Sequence, residues 1–148
     1  MIENIVLNSF DNIIPVYAAI SNLSRIDAFS SDNEQIAYSG SQLGRGEKFR
    51  WIPVLALDNL GDFDIPTYIK IDIDGQELLV IEGALKCIND DYCRGLLVEI
   101  NQDREKIMKL LIGMGYVTDN DFNSLPNHSR YRREKEGIKA ENVIFTRR

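Results

Sequence analysis

Histidine is nearly absent from this chain, tryptophan occurs once, and only two of the 148 residues are cysteine. Cys87 and Cys93 form no CxxC pair, and neither stands near His128, so a structural zinc site is not expected and the thiols read as reduced and partly buried. Long apolar runs are missing as well. No stretch approaches the roughly 20 apolar residues that span a bilayer, and the opening Met1-Ile2-Glu3-Asn4 lacks the basic-then-apolar pattern of an export signal. A cytoplasmic location with no membrane partner is the expectation. Basic charge is in the minority: 17 Lys and Arg stand against 23 Asp and Glu, for a net charge of -6. That balance repels phosphate backbones and anionic lipid, so nucleic acid is not an expected partner. One local basic run, Arg130, Arg132, Arg133 and Lys135, reads either as a solvated loop or as a seat for an anionic group. Internal repeats and low-complexity tracts are also lacking.

With 44% hydrophobic residues, a chain of this length can bury one sizeable core and is too short for two ordinary domains, so a single domain over residues 1–148 is expected. Ile13 to Ile20 is an apolar run rich in β-formers and closed by Ser21-Asn22, which predicts a strand; Ile26 to Phe29 predicts a second, shorter one. Ser30 to Glu47 is polar, carries Ser39-Gly40-Ser41 and Gly44-Arg45-Gly46, and follows neither period, so it reads as a long surface loop. Ile52 to Leu57 is strand-like again, and Asp58 is placed to cap a short helical turn through Leu60.

The second half is more strongly patterned. Tyr68 to Ile73 predicts a strand. Gln76 to Ile88 predicts a helix, with Leu78, Leu79, Ile81, Ala84, Leu85 and Ile88 at three-and-four spacing, and Leu96 to Ile100 predicts the next strand. A second helix follows, capped by Asp103, striped by Ile107, Leu110, Leu111 and Met114, and ended by Gly115 before the strand-like Tyr116-Val117. Asn142 to Thr146 predicts a closing strand. This alternation implies an α/β fold with a mostly parallel sheet flanked by helices.

One segment breaks the pattern expected of a central parallel strand, which should be nearly all apolar. In Ile69-Lys70-Ile71-Asp72-Ile73-Asp74 charges alternate with isoleucines. Lys70 and Asp72 share a strand face, and a buried charge costs several kcal/mol unless it is paired, so the two are expected to neutralise each other or to meet a ligand. Ligands in open α/β sheets bind beyond the carboxyl ends of the strands. Asp72 and Asp74 lie at one such end, and Glu99 and Asn101 end the next strand. The structural reading stands beside this one: Asp74-Gly75-Gln76-Glu77 fits a helix capping box. An EF-hand fails, because Lys70 and Ile81 stand where oxygen ligands are needed. A D-x-D reading of Asp72-Ile73-Asp74, with a divalent ion held for a nucleotide-sugar transferase, passes the spacing test.

Read in order, the blocks Ile52-Pro53-Val54-Leu55-Ala56-Leu57-Asp58, Tyr68 to Glu77, Val80-Ile81-Glu82-Gly83-Ala84 and Leu97-Val98-Glu99-Ile100 resemble the C-terminal half of FkbM-type methyltransferases. Asn4 to Ser21 is similar to that family's helix end and following strand, and Ser39-Gly40-Ser41 to its small-residue loop. Where the family usually has Asp-Val-Glu-Gly, this chain has Asp72-Ile73-Asp74-Gly75. The resemblance implies a Rossmann-like class I methyltransferase fold, S-adenosylmethionine as cofactor, and O-methylation of a small-molecule or saccharide hydroxyl. It further implies that Ala19 and Ser21 border the adenine, that Asp72 or Asp74 orients or deprotonates the hydroxyl with Lys70 tuning the charge, and that Glu77, Glu99 and Asn101 line the substrate crevice, with no metal. His128 reads as a solvated histidine or as a base. Family members also begin with a strand, a glycine-rich turn and an acidic strand end that hold the cofactor. Nothing before Ile13 supplies these, so the expectation is a C-terminal fragment that binds cofactor weakly or not at all by itself. Its two missing strands would lie between the strand at Ile13 to Ala19 and the strand at Tyr68 to Ile73, leaving unpaired backbone edges in the centre of the sheet, an aggregation or pairing liability open to a homo-oligomer. A glycosyltransferase fragment and a non-catalytic α/β remnant are the alternatives.

Overall fold

The computed structural model describes residues 2–31, 41–43, 49–61, 63–73, 75–119, 122 and 141–147. Asp74, His128, the basic run between 130 and 135 and most of the polar loop after Ser30 lie outside them. The described chain is α/β, with two mixed four-stranded sheets. Helix α1 (Ile2–Leu7) precedes strands β1 (Ala19–Ile20), β2 (Arg25–Ser31), β3 (Ser41–Leu43) and β4 (Phe49–Leu55), a 3-10 turn over Leu57–Asn59, and β5 (Tyr68–Ile71). Helices α2 (Glu77–Glu82) and α3 (Leu85–Asn89), strand β6 (Gly95–Ile100), helix α4 (Arg104–Gly113), and strands β7 (Val117–Thr118) and β8 (Glu141–Thr146) complete it. Among the described residues, no helix is long and apolar enough to cross a membrane.

The first sheet has the order β1-β4-β2-β3 and the second β5-β6-β8-β7. Among the described residues, only β1 with β4 and β5 with β6 pair in parallel; the other pairings are antiparallel, so the mostly parallel sheet expected from the alternation is replaced by mixed pairing. The physical reason is visible in the connections. The β5–β6 link carries two helices and can cross over, whereas β2 returns directly beside β4 and β8 lies between β6 and β7.

The core forms on one face of the second sheet. Ile71, Leu96, Val98, Ile100, Val143 and Phe145 share that face and meet Val80 and Ile81 of α2, Ile88 of α3, Ile107 and Leu111 of α4, and Tyr116. Burying each aliphatic side chain here contributes about 2 kcal/mol. The opposite face, with Tyr68, Lys70, Leu97, Glu99 and Ile144, holds no buried apolar side chain.

Three local expectations shift. The strand foreseen at Ile13 to Ile20 is reduced to Ala19–Ile20. Among the described residues no strand pairs with residues 13–17, Pro15 has no N–H to give, and Ile14 and Tyr17 are largely exposed. The single helix foreseen from Gln76 to Ile88 is broken at Gly83, where the Ser21-Asn22 backbone approaches: a Cβ there would lie 2.9 Å from both Ser21 C and Asn22 Cα. Asp58 does not cap its own turn. That turn has Ala56 at its N-cap without a side-chain bond, while the Asp58 carboxylate accepts from the N–H of Lys86 at 2.9 and 3.0 Å and of Cys87 at 3.1 Å, and so caps α3 from a distance.

Candidate functional site

Strands β5 and β6 run in parallel, so their carboxyl ends lie together, with Lys70 opposite Leu97 and Ile71 opposite Val98. Two polar groups form there. The first is charged and lies on the uncovered face: Lys70 Nζ stands 2.6 Å from Asp72 Oδ2, with Glu99 close enough to add to the field at the ammonium. The hydrogen bond to Asp72 is the main cause of a Lys70 pKa raised above its ordinary value. The pairing expected from the shared strand face is therefore present, but the expected burial is not. The Lys70 and Asp72 side chains are 61% and 49% exposed. The reason is topological: among the described residues β5 pairs only with β6, and its Lys70 face is left open, so these charges cost little desolvation.

The second group is buried. Glu77 is 1% exposed, and its Oε1 accepts from the Gly75 N–H at 2.9 Å and from the Asn101 amide at 2.8 Å. Asn101 also donates to Ile73 O at 3.0 Å, so one amide ties the end of β6 to the turn after β5. Gly75 adopts φ +91°, a left-handed conformation open to glycine at little cost. The expected capping box involves Asp74, which lies outside the described residues. Helix α2 begins at Glu77, its N-cap is Gln76 with no side-chain bond, and Glu77 accepts from the Gly75 N–H. Asp103, foreseen as the cap of α4, has φ 53° and makes no cap bond; its carboxylate pairs with Lys106 Nζ at 2.7 Å.

A residue pair that sequence reasoning missed completes this end of the sheet. Arg104 Nε donates to Glu141 Oε2 at 3.0 Å, fixing the start of α4 to the start of β8 beside Ile100. The partners stand 37 positions apart, and no spacing rule could have joined them. Of the residues singled out from the sequence, Lys70, Asp72 and Glu99 thus form one group, Glu77 and Asn101 another, and Asp74 lies outside the described residues. Ala19 and Ser21 join neither group. Ala19 pairs with Val54 in β1, and Ser21 is fully buried, its N–H on Leu55 O and its hydroxyl on Asn22 Oδ1, with its backbone packed on Gly83. An open cleft of about 550 Å³ lies at α3, lined by Leu85, Lys86, Asn89, Asp90 and Met114, and none of the strand-end residues contributes to it.

An adenosyl cofactor needs a glycine-rich turn after a strand and an acidic partner for its ribose. The described residues supply no such set, because Ser21 is committed to packing and Gly75 opens a helix of only six residues. Among the described residues there is also no group of three or more His, Cys, Asp or Glu side chains placed to hold a metal ion. No protein-family model, curated protein or solved structure matches the chain.

Proposed function

We propose that this chain forms the acceptor side of an S-adenosylmethionine-dependent methyltransferase of the FkbM type, acting on a hydroxyl of a sugar or similar metabolite. The observation that carries the reading is the meeting of Lys70 and Asp72, with Glu99 on the neighbouring strand, at the carboxyl ends of two parallel strands, where α/β sheets receive ligands. Together with the ordered sequence blocks that resemble this family, it gives the chain's own residues distinct tasks. Asp72 is a half-exposed carboxylate able to accept a hydroxyl proton, Lys70 pairs with it, and the buried Glu77–Asn101 bond holds the turn that follows β5.

The test joins the chain to a family segment carrying a strand, a glycine-rich turn and an acidic strand end. Transfer of a labelled methyl group from S-adenosylmethionine to a panel of hydroxyl acceptors is then measured. Asp72→Asn is expected to lower turnover by roughly 100-fold or more if Asp72 takes the proton. Unchanged turnover removes Asp72 from the chemistry, and transfer of a sugar from a manganese-bound nucleotide sugar replaces the methyltransferase reading with the D-x-D one.

A further inference from the structure

Helix α1 is six residues long and buries none of them. Helices shorter than about 12–15 residues are marginal in water and depend on packing an apolar face, yet Ile2, Val6 and Leu7 stand open to solvent. The helix end is closed by local bonds alone. Ser9 adopts φ 55°, its N–H donates to Val6 O, and the Phe10 N–H donates to Ile5 O, both at 3.1 Å, so the turn out of α1 takes nothing from the rest of the chain. The extended stretch that follows continues the pattern, with Phe10, Ile14 and Tyr17 more than half exposed. In all, eight large apolar side chains between Ile2 and Tyr17 are exposed, from 43% at Ile13 to 80% at Leu7. Surface hydrophobics scattered singly need no explanation, whereas a contiguous set marks an interaction surface.

We propose that residues 2–17 form a self-complementary arm through which two copies of the chain associate about a two-fold axis, α1 and the stretch after it in one copy packing on the same elements of the other. Area and charge select the occupant. With roughly 100 Å² left open by each side chain of this size, the arm presents on the order of 800 Å², which is what one partner of a stable interface buries. Nine of the sixteen residues are large and apolar and only two, Glu3 and Asp11, are charged. Such depletion of charge is the composition of a homodimer interface. Two-fold pairing sets one patch against itself, so its charges must lie at the rim, and both acidic residues are exposed. A lipid surface fits less well: helices that lie on membranes carry Lys and Arg on their polar face, and this arm has neither. This inference goes beyond the methyl-transfer reading and does not rest on it.

The test is sedimentation velocity on the full chain across the micromolar range, with Leu7→Glu, Ile14→Glu and, as a control on α4, Ile112→Glu. A dimer is expected for the wild-type chain. Leu7→Glu and Ile14→Glu are each expected to raise the dissociation constant roughly tenfold or more, because two-fold symmetry places each new carboxylate in the interface twice. Ile112→Glu is expected to leave association unchanged. All three side chains are exposed in a single copy, so the circular dichroism spectrum of each variant should match that of the wild-type chain and separate lost association from unfolding. A wild-type chain that stays monomeric overturns the proposal, as does a dimer indifferent to both arm variants or one that Ile112→Glu weakens equally. Flotation of the wild-type chain with phosphatidylcholine–phosphatidylserine vesicles, abolished by Leu7→Glu, would assign the arm to lipid and overturn it as well.

Discussion

Glu77 is the buried group on which the shape of the strand ends depends, and truncating it gives a graded prediction. Glu77→Ala removes the acceptor for two hydrogen bonds, from Gly75 N–H and the Asn101 amide, at 2.9 and 2.8 Å. Hydrogen bonds to a charged acceptor contribute about 1.5–3 kcal/mol each, and the lost methylene packing adds about 1.5 kcal/mol. Against this, the variant no longer buries a carboxylate, which recovers several kcal/mol, and both donors keep a second acceptor in Ile73 O. The net cost expected for Glu77→Ala is about 3 kcal/mol, or about 1.5 M in the urea midpoint at an m-value of about 2 kcal/mol/M. Glu77→Gln keeps an oxygen where Oε1 stands while losing the charge, and is expected within about 1 kcal/mol of wild type. The assay is urea unfolding followed by far-UV circular dichroism. A Glu77→Ala variant as stable as wild type would refute the argument. So would a Glu77→Gln variant as unstable as Glu77→Ala, because the charge itself would then be the essential feature.

Gly83→Ala should destabilise the chain by about 3 kcal/mol or more in the same assay, since its methyl group meets backbone that no rotamer change can move. Arg147→Ala should cost about 2–4 kcal/mol in thermal or urea unfolding: its guanidinium bonds the carbonyls of Ile88, Asn89, Asp90 and Met114 and lies 4.5 Å from the Tyr116 ring centroid. Both thiols are buried, and burial, followed by the Asp58 carboxylate, raises the Cys87 pKa above 9.0. A disulfide reagent at pH 8 should therefore modify the folded chain slowly and take up two equivalents at once after denaturation. The Asp27 pKa is lowered from 3.8, first by its hydrogen bond from Arg25. Its stabilising contribution is thus present above that value and fades as pH falls through the lowered one, and an acid titration of Asp27→Asn should lack this component.

The second half of the fold was legible because its signals are local. The three-and-four spacing from Leu78 to Ile88 and the stripe from Ile107 to Leu111 mark helical faces that the structure buries against β6 and β8. Gly115, expected to end α4, does so with φ 88°. What escaped the sequence depends on contacts between distant segments. The break at Gly83 is imposed by Ser21-Asn22, the cap of α3 by Asp58, and the closure of the strand ends by Arg104 with Glu141. The largest misreading concerns β5. Charges among its isoleucines suggested a central strand with buried ions, yet among the described residues the strand lies at the sheet edge and the Lys70–Asp72 pair is largely exposed. Alternation of charge and isoleucine is what a half-covered edge strand looks like, and periodicity alone does not separate that case from a functional anomaly.

The most direct measurement is a calorimetric titration of S-adenosylhomocysteine into the chain carrying the family's strand, glycine-rich turn and acidic strand end at its amino terminus. Saturable binding at one site, with no heat from a manganese-bound nucleotide sugar, is the result expected if the carboxyl ends of β5 and β6 serve a methyltransferase. Binding of the nucleotide sugar with none of S-adenosylhomocysteine would contradict it.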